Sequence, residues 1–180
     1  MKNLWLLLFI TLFSVKAYAQ TDIRLNGNYS TDDSLNFIFL KSQTLTDIDG
    51  KPISINDLKG KAVVFHFFET PSRSSVKSML DLYRMHDHYK KEVVVIAVDM
   101  QQTDSNLKLK DFMTSNQYDF VYIPGKELST QLKIQKIPYK LFINKDGHLV
   151  SAYEGAFPDI REYQRNVSLA EQCLYKNQTR

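Results

Sequence analysis

KAVVFHFFETPSRSSVKSMLDLYRMHDHY, residues 61–89, decides the fold. Its opening run, Lys61 to Phe68, is almost continuous in Val and Phe, the pattern of a strand buried on both faces. From Ser72 to Tyr89 the apolar period changes. Val76, Met79, Leu80 and Tyr83 recur three and four apart, which predicts a helix. EVVVIAVDM, residues 92–100, follows as a second buried strand. Strand, helix and strand in that order predict a βαβ unit and a parallel core.

Downstream, residues 106–115 carry Leu107, Leu109, Phe112 and Met113 and predict a second, less regular helix. FVYIP, residues 120–124, is a short extended piece, and Leu128 to Ile134 reads as a short helix. YKLFINKDGHLVSAYEG, residues 139–155, predicts two strands around the turn Lys145-Asp146-Gly147. From Asp159, the residues Ile160, Tyr163, Val167, Ala170 and Leu174 fall at helical spacing, a closing amphipathic helix. Upstream, the run from Phe37 to Leu58 alternates, turns at Asp49-Gly50 and resumes, which predicts a β-hairpin. The expected class is α/β: a three-layer sandwich with a central mixed sheet, helices on both faces and an N-terminal β-hairpin.

The first nineteen residues stand apart. They hold Lys2, an apolar run from Leu4 to Val15, and Ala17-Tyr18-Ala19 as a small-x-small cleavage signal, the parts of a secretory signal peptide. A retained anchor is the alternative, although the run is short of the roughly 20 apolar residues that span a membrane. The expected organisation is therefore a signal peptide at 1–19, a polar flexible lead-in at 20–36 and one domain at 37–180. The chain is expected to be exported to the periplasm or the cell exterior, with no stable membrane insertion after cleavage.

The formal net charge of +3 falls to about +1 once Lys2 and Lys16 are removed. The remaining basic residues are scattered, not striped, so no nucleic-acid partner is expected. The single cysteine, Cys173, has no partner for an internal disulfide. His86 and His88 lie two apart in a helical stretch and point to different faces, unlike a zinc pair. Neither a metal nor a cofactor is expected.

The order of elements resembles the thioredoxin fold and, more narrowly, the exported TlpA/ResA-type thiol-disulfide oxidoreductases of the AhpC/TSA-redoxin group. Four stretches carry the resemblance: LTDIDGKPISINDLKGKAVVFHFF (45–68), the junction Ser72-Arg73-Ser74-Ser75, VVVIAVDM (93–100), and LKIQKIPYKLFINKDGHLV (132–150). In active relatives the junction holds two thiols in the first turn of a helix. There the free N–H groups and the helix dipole favour thiolate, which attacks a partner disulfide. The matching positions here are Ser72 and Ser75, and Pro71 stands where the family has tryptophan. A hydroxyl cannot perform that exchange. Ser72 instead suits the helix N-cap, and Arg73 beside it is left to face a partner or solvent.

The resemblance also implies that Pro138 is cis, facing that helix. The backbone of Ile137 would then offer hydrogen bonds to an extended segment. The binding residues expected are Pro71, Arg73, Ile137 and Pro138, and the partner an envelope protein or an extended peptide in the groove near Pro138. The implied function is that of a non-catalytic binding or accessory protein. One alternative is a redox accessory acting through Cys173. Another is a hydrolase in which His66, at the family's buried-carboxylate position, activates Ser72 or Ser75.

Overall fold

The computed structural model describes residues 29–70, 72–100, 105–157 and 159–175. The expected signal peptide, lead-in residues 20–28 and Pro71 lie outside them. In chain order the elements are α1 (Thr31–Ser42), β1 (Thr44–Thr46), β2 (Pro52–Ser54), a 3-10 turn (Ile55–Leu58) and β3 (Ala62–Phe68). Then come α2 (Arg73–His88), β4 (Val93–Asp99), α3 (Ser105–Asn116), β5 (Val121–Pro124) and α4 (Lys126–Gln131). The chain closes with β6 (Tyr139–Ile143), β7 (Leu149–Glu154) and α5 (Arg161–Tyr175).

The main sheet has five strands in the order β5-β4-β3-β6-β7. β3 runs parallel to β4, and β4 to β5, as the βαβ reading requires; β6 and β7 are antiparallel additions. β1 and β2 form a separate antiparallel pair. All seven residues of β3 are buried, which is why the sequence there shows no polar alternation. Alternate residues serve opposite layers. Val64 and Phe68 pack with Met79, Leu82, Leu109, Leu169 and Ala170, so α2, α3 and α5 cover one face. Val63, Phe65 and Phe67 pack with Phe37, Leu40 and Leu128, so α1 and α4 cover the other.

At the end of β5, Gly125 lies so close to β4 that a Cβ there would sit 2.5 Å from Val98 Cγ1 and 2.7 Å from the Asp99 carbonyl. Its N–H donates to that carbonyl at 2.8 Å. The spacing between these neighbouring turns requires glycine.

Two expectations are corrected here. Residues 31–42 are a helix, not the end of a lead-in followed by an extended run from Phe37. Ser30 and Asp33 form a reciprocal capping box, with Asp33 N donating to Ser30 Oγ (3.2 Å) and Ser30 N to Asp33 Oδ2 (2.7 Å). Asn36, Phe37 and Leu40 then bury one helical face. The short run of alternating residues masked that three-four spacing, and the hairpin begins only at Thr44. The helix expected at Leu128–Ile134 forms earlier, at Lys126–Gln131, because Leu132 is already extended.

Candidate functional site

β3 delivers the chain to α2 at its C-terminal end. Ser72 is the N-cap of α2, with extended backbone, and its Oγ accepts a hydrogen bond from Ser75 N at 3.3 Å. Its carbonyl takes the first intrahelical bond, from Val76 N. Arg73 and Ser74 are exposed. No acid occupies the first turn, where Arg73 and the hydroxyls of Ser74 and Ser75 follow the Ser72 cap. Ser75 is fully buried, and its Oγ has no hydrogen-bond partner among the described residues.

The register of β3 with β6 sets Phe67 opposite Tyr139. Pro138 therefore lies at the same end of the sheet as the start of α2. The Ile137–Pro138 peptide bond is cis. Ile137 is half-buried and Pro138 buried. The Pro138 carbonyl accepts a 2.7 Å bond from Gly155 N, which fixes the loop to the end of β7. Tyr139 Oη donates to Asp33 Oδ1 at 2.6 Å, so α1 braces the same loop from the opposite layer.

His66 lies on the α2 side of β3, directly across from Lys140. It is fully buried and stacks on Phe68. Burial pushes its pKa well below the ordinary range, the Lys140 charge pushes the same way, and the nearby Ser75 backbone opposes them weakly. The ring is neutral at pH 7. Neither ring nitrogen has a hydrogen-bond partner among the described residues, and Ser75 Oγ also stands alone. The hydrolytic pairing of His66 with Ser72 or Ser75 is therefore not formed. Ser75 and His66 are closed off from solvent, and Ser72 Oγ is committed to the helix cap and to Ser74 Oγ, 3.0 Å away.

Beneath this junction lies a polar hub that the sequence reading missed. Lys140 and Glu162 are completely buried and ion-paired. Glu162 also accepts from Ser78 Oγ at 3.0 Å and from Phe157 N at 3.0 Å. Tyr153 Oη gives its proton to Asn166 Oδ1 at 2.6 Å and sits 3.4 Å from Glu162. Arg165 stacks its guanidinium 3.8 Å over the Tyr153 ring. Burial lowers the Lys140 ammonium to about 8 against the pull of Glu162. For Glu162 burial pushes upward, but the Lys140 charge and the hydrogen bonds from Lys140, Phe157 N and Ser78 outweigh it and hold the carboxyl below its ordinary range. A lysine in mid-strand on the inward phase of YKLFI was the available signal.

Cys173 lies at the other end of the molecule. Its carbonyl accepts from Lys145 N, beyond the far end of β6 from Pro138. The residue is 2% exposed, and burial pushes the thiol up to about 12. An enclosed, un-ionised thiol is a poor nucleophile, so this burial does not favour the alternative of a redox accessory working through Cys173. Among the described residues no group of three or more His, Cys, Asp or Glu side chains could hold a metal, and no helix is long and apolar enough to cross a membrane.

Comparison with known proteins places this arrangement. The AhpC/TSA family model matches residues 40–170. The thiol-disulfide oxidoreductase ResA of Bacillus thuringiensis subsp. konkukian is 29% identical over 131 residues, covering 69% of this chain and 73% of that protein. ResA of Bacillus subtilis is 25% identical over 144 residues, covering 77% and 76%. Among solved structures, StoA from Bacillus subtilis superposes with a TM-score of 0.55 at 21% identity, over 69% of this chain and 92% of that one. The exposed lipoprotein thioredoxin of Streptococcus pneumoniae strain TIGR4 superposes with a TM-score of 0.54 at 21% identity, over 70% and 97%. The fold is thioredoxin-like.

Proposed function

From the premise that the chain belongs to the AhpC/TSA family, with ResA-type thiol-disulfide oxidoreductases among its relatives, we infer that it uses the thioredoxin-like frame to hold a partner without exchanging disulfides. One observation carries this reading. The N-cap and first-turn positions at the head of α2 are Ser72 and Ser75, while the only thiol of the chain is enclosed at the opposite end. Disulfide exchange needs a thiolate that can be reached, and a serine hydroxyl at a helix N-terminus supplies none near pH 7.

The partner is an extended peptide segment of an envelope protein, laid against Ile137 and Pro138, with Arg73 and the bare N-terminal turn of α2 at its side. Export is supported by the signal-peptide pattern of residues 1–19 and by a structural neighbour described as an exposed lipoprotein.

The test is turnover. Purified residues 20–180, with dithiothreitol and a disulfide-bonded peptide, should reduce it no faster than buffer. Disulfide turnover by the metal-free protein that persists in Cys173→Ser would overturn the reading. Ser72→Cys/Ser75→Cys should gain measurable dithiol reactivity. Immobilised protein should retain a defined component of an envelope extract that Ile137→Asp releases; no difference between the two would count against the groove.

A further inference from the structure

Basic residues that are far apart in the sequence meet beside the Pro138 loop. Arg73 and Lys77 stand one turn apart on α2, and Arg161 and Arg165 one turn apart on α5. The two helices pack together, with Ser78 Oγ donating to Glu162 across them at 3.0 Å. Phe157, in the loop between β7 and α5, joins the two pairs. Its carbonyl accepts from Lys77 Nζ at 3.3 Å, and its N–H donates to the buried Glu162 at 3.0 Å. Its ring centre lies 5.4 Å from the Arg161 guanidinium and 5.5 Å from that of Arg165, which also covers Tyr153.

The acids near these cations are engaged. Asp159, on the same loop, accepts from Arg161 Nε at 2.8 Å and from Arg161 N at 3.0 Å. On α2, Asp81 pairs with Arg84 at 3.4 Å and Asp87 with Lys90 at 2.6 Å. Glu162 is buried against Lys140, and Glu154 faces Lys136 at 3.9 Å. Among the described residues Arg73, Lys77 and Arg165 form no ion pair. A single exposed ion pair contributes little. Here several cations share one aromatic ring, and a guanidinium stacked by its face keeps its N–H edge for a carboxylate at small cost in side-chain freedom.

Position sets the form of the ligand. Gly155 N holds the Pro138 carbonyl at 2.7 Å, two residues before Phe157. Tyr153, under Arg165, pairs with Lys140, two residues beyond Pro138. The cluster therefore begins about 7 Å along the sheet from Pro138, a distance that an extended chain crosses in two or three residues.

The geometry points to Arg73, Lys77, Arg161 and Arg165 as a docking site for carboxylates of an acidic extended segment, continuous with the groove at Ile137 and Pro138. This names the chemistry of the partner and rests on the reading that the groove holds one. The probe is a fluorescein-labelled peptide, Glu-Val-Thr-Val-Glu-Val-Thr, followed by anisotropy at low ionic strength. Saturable binding is expected, with the Lys-for-Glu peptide about tenfold weaker and the difference shrinking as salt is added.

On the protein, Arg73→Gln/Lys77→Gln changes two exposed side chains and should weaken the Glu peptide about tenfold. Arg165→Gln, read beside circular dichroism because Arg165 covers Tyr153, should do the same, and Arg165→Lys should restore part of the binding. Ile137→Ser, which adds no charge, tests the groove separately. If it weakens the Glu peptide as well, groove and cations act together. If it leaves binding intact while the charge variants weaken it, the acidic site stands and the groove reading falls. The inference is overturned by no saturation up to about 1 mM, by equal binding of the Glu and Lys peptides, or by charge variants that bind like the native protein. It is also overturned if phosphatidylglycerol vesicles, and not the peptide, are bound through these residues. An envelope component that Ile137→Asp releases and Arg73→Gln/Lys77→Gln retains would keep the groove and sink this inference.

Discussion

His66 shows how one buried side chain sets a pH dependence. In the unfolded chain it takes up a proton near pH 6.5. In the folded protein, burial and the neighbouring Lys140 charge hold its pKa well below that. Below about pH 6.5 the unfolded state therefore binds the extra proton and stability falls with pH, by up to about 1.4 kcal/mol per unit. Above that range the contribution is complete. His86, also shifted downward by burial, adds to the same slope. Urea unfolding at pH 7.5 and pH 5 should give a smaller difference for His66→Leu than for the native sequence; equal differences would show that His66 is not the group responsible. The identity of this histidine and its place on a buried strand were legible in the sequence. The missing bond between its ring and Ser75 Oγ was not, because a hydrogen bond depends on side-chain direction as well as on proximity.

Among the elements, α1 was the least legible. Its polar N-terminal turn resembles a loose lead-in until Ser30 and Asp33 are seen to cap each other, and its outer face leaves Leu35 and Ile38 exposed, which blurs the amphipathic pattern. Asp33 does two things: it closes the capping box with one oxygen and accepts from Tyr139 Oη with the other. Asp33→Ala should cost about 1–3 kcal/mol in urea unfolding, with faster hydrogen exchange confined to residues 31–42 and the start of β6. A uniform change across the protein would sink the idea that α1 is joined locally. In α5 the stripe Ile160, Tyr163, Val167, Ala170 and Leu174 is legible in part: Ala170 and Leu174 are buried and Tyr163 and Val167 pack against the core, but Ile160 is exposed. The buried side also holds Glu162 and Asn166, whose polar character hid their place there. By contrast β3, β4 and the β6–β7 hairpin were plain in the sequence, since long Val and Phe runs and a Lys-Asp-Gly turn admit few other readings.

At the scale of the whole molecule, the Lys140–Glu162 pair joins parts that the sheet alone does not. It links β6 to α5, and through Ser78, Phe157 N and Tyr153 it reaches α2, the loop after β7, and β7 itself. Removing one partner leaves the other charge buried and unpaired. Lys140→Met should therefore cost about 3–5 kcal/mol in urea unfolding. The double variant Lys140→Met/Glu162→Gln should recover much of that, because the amide oxygen can still accept from Phe157 N and Ser78 Oγ without carrying charge. A double variant as unstable as the single one would mean that packing, and not the stranded carboxylate, sets the cost. The enclosure of Cys173 carries one more consequence. A native chain whose lone sulfhydryl is sealed inside has no covalent partner to choose, so material prepared under air and material prepared with reductant should give the same intact mass and the same thiol count after unfolding.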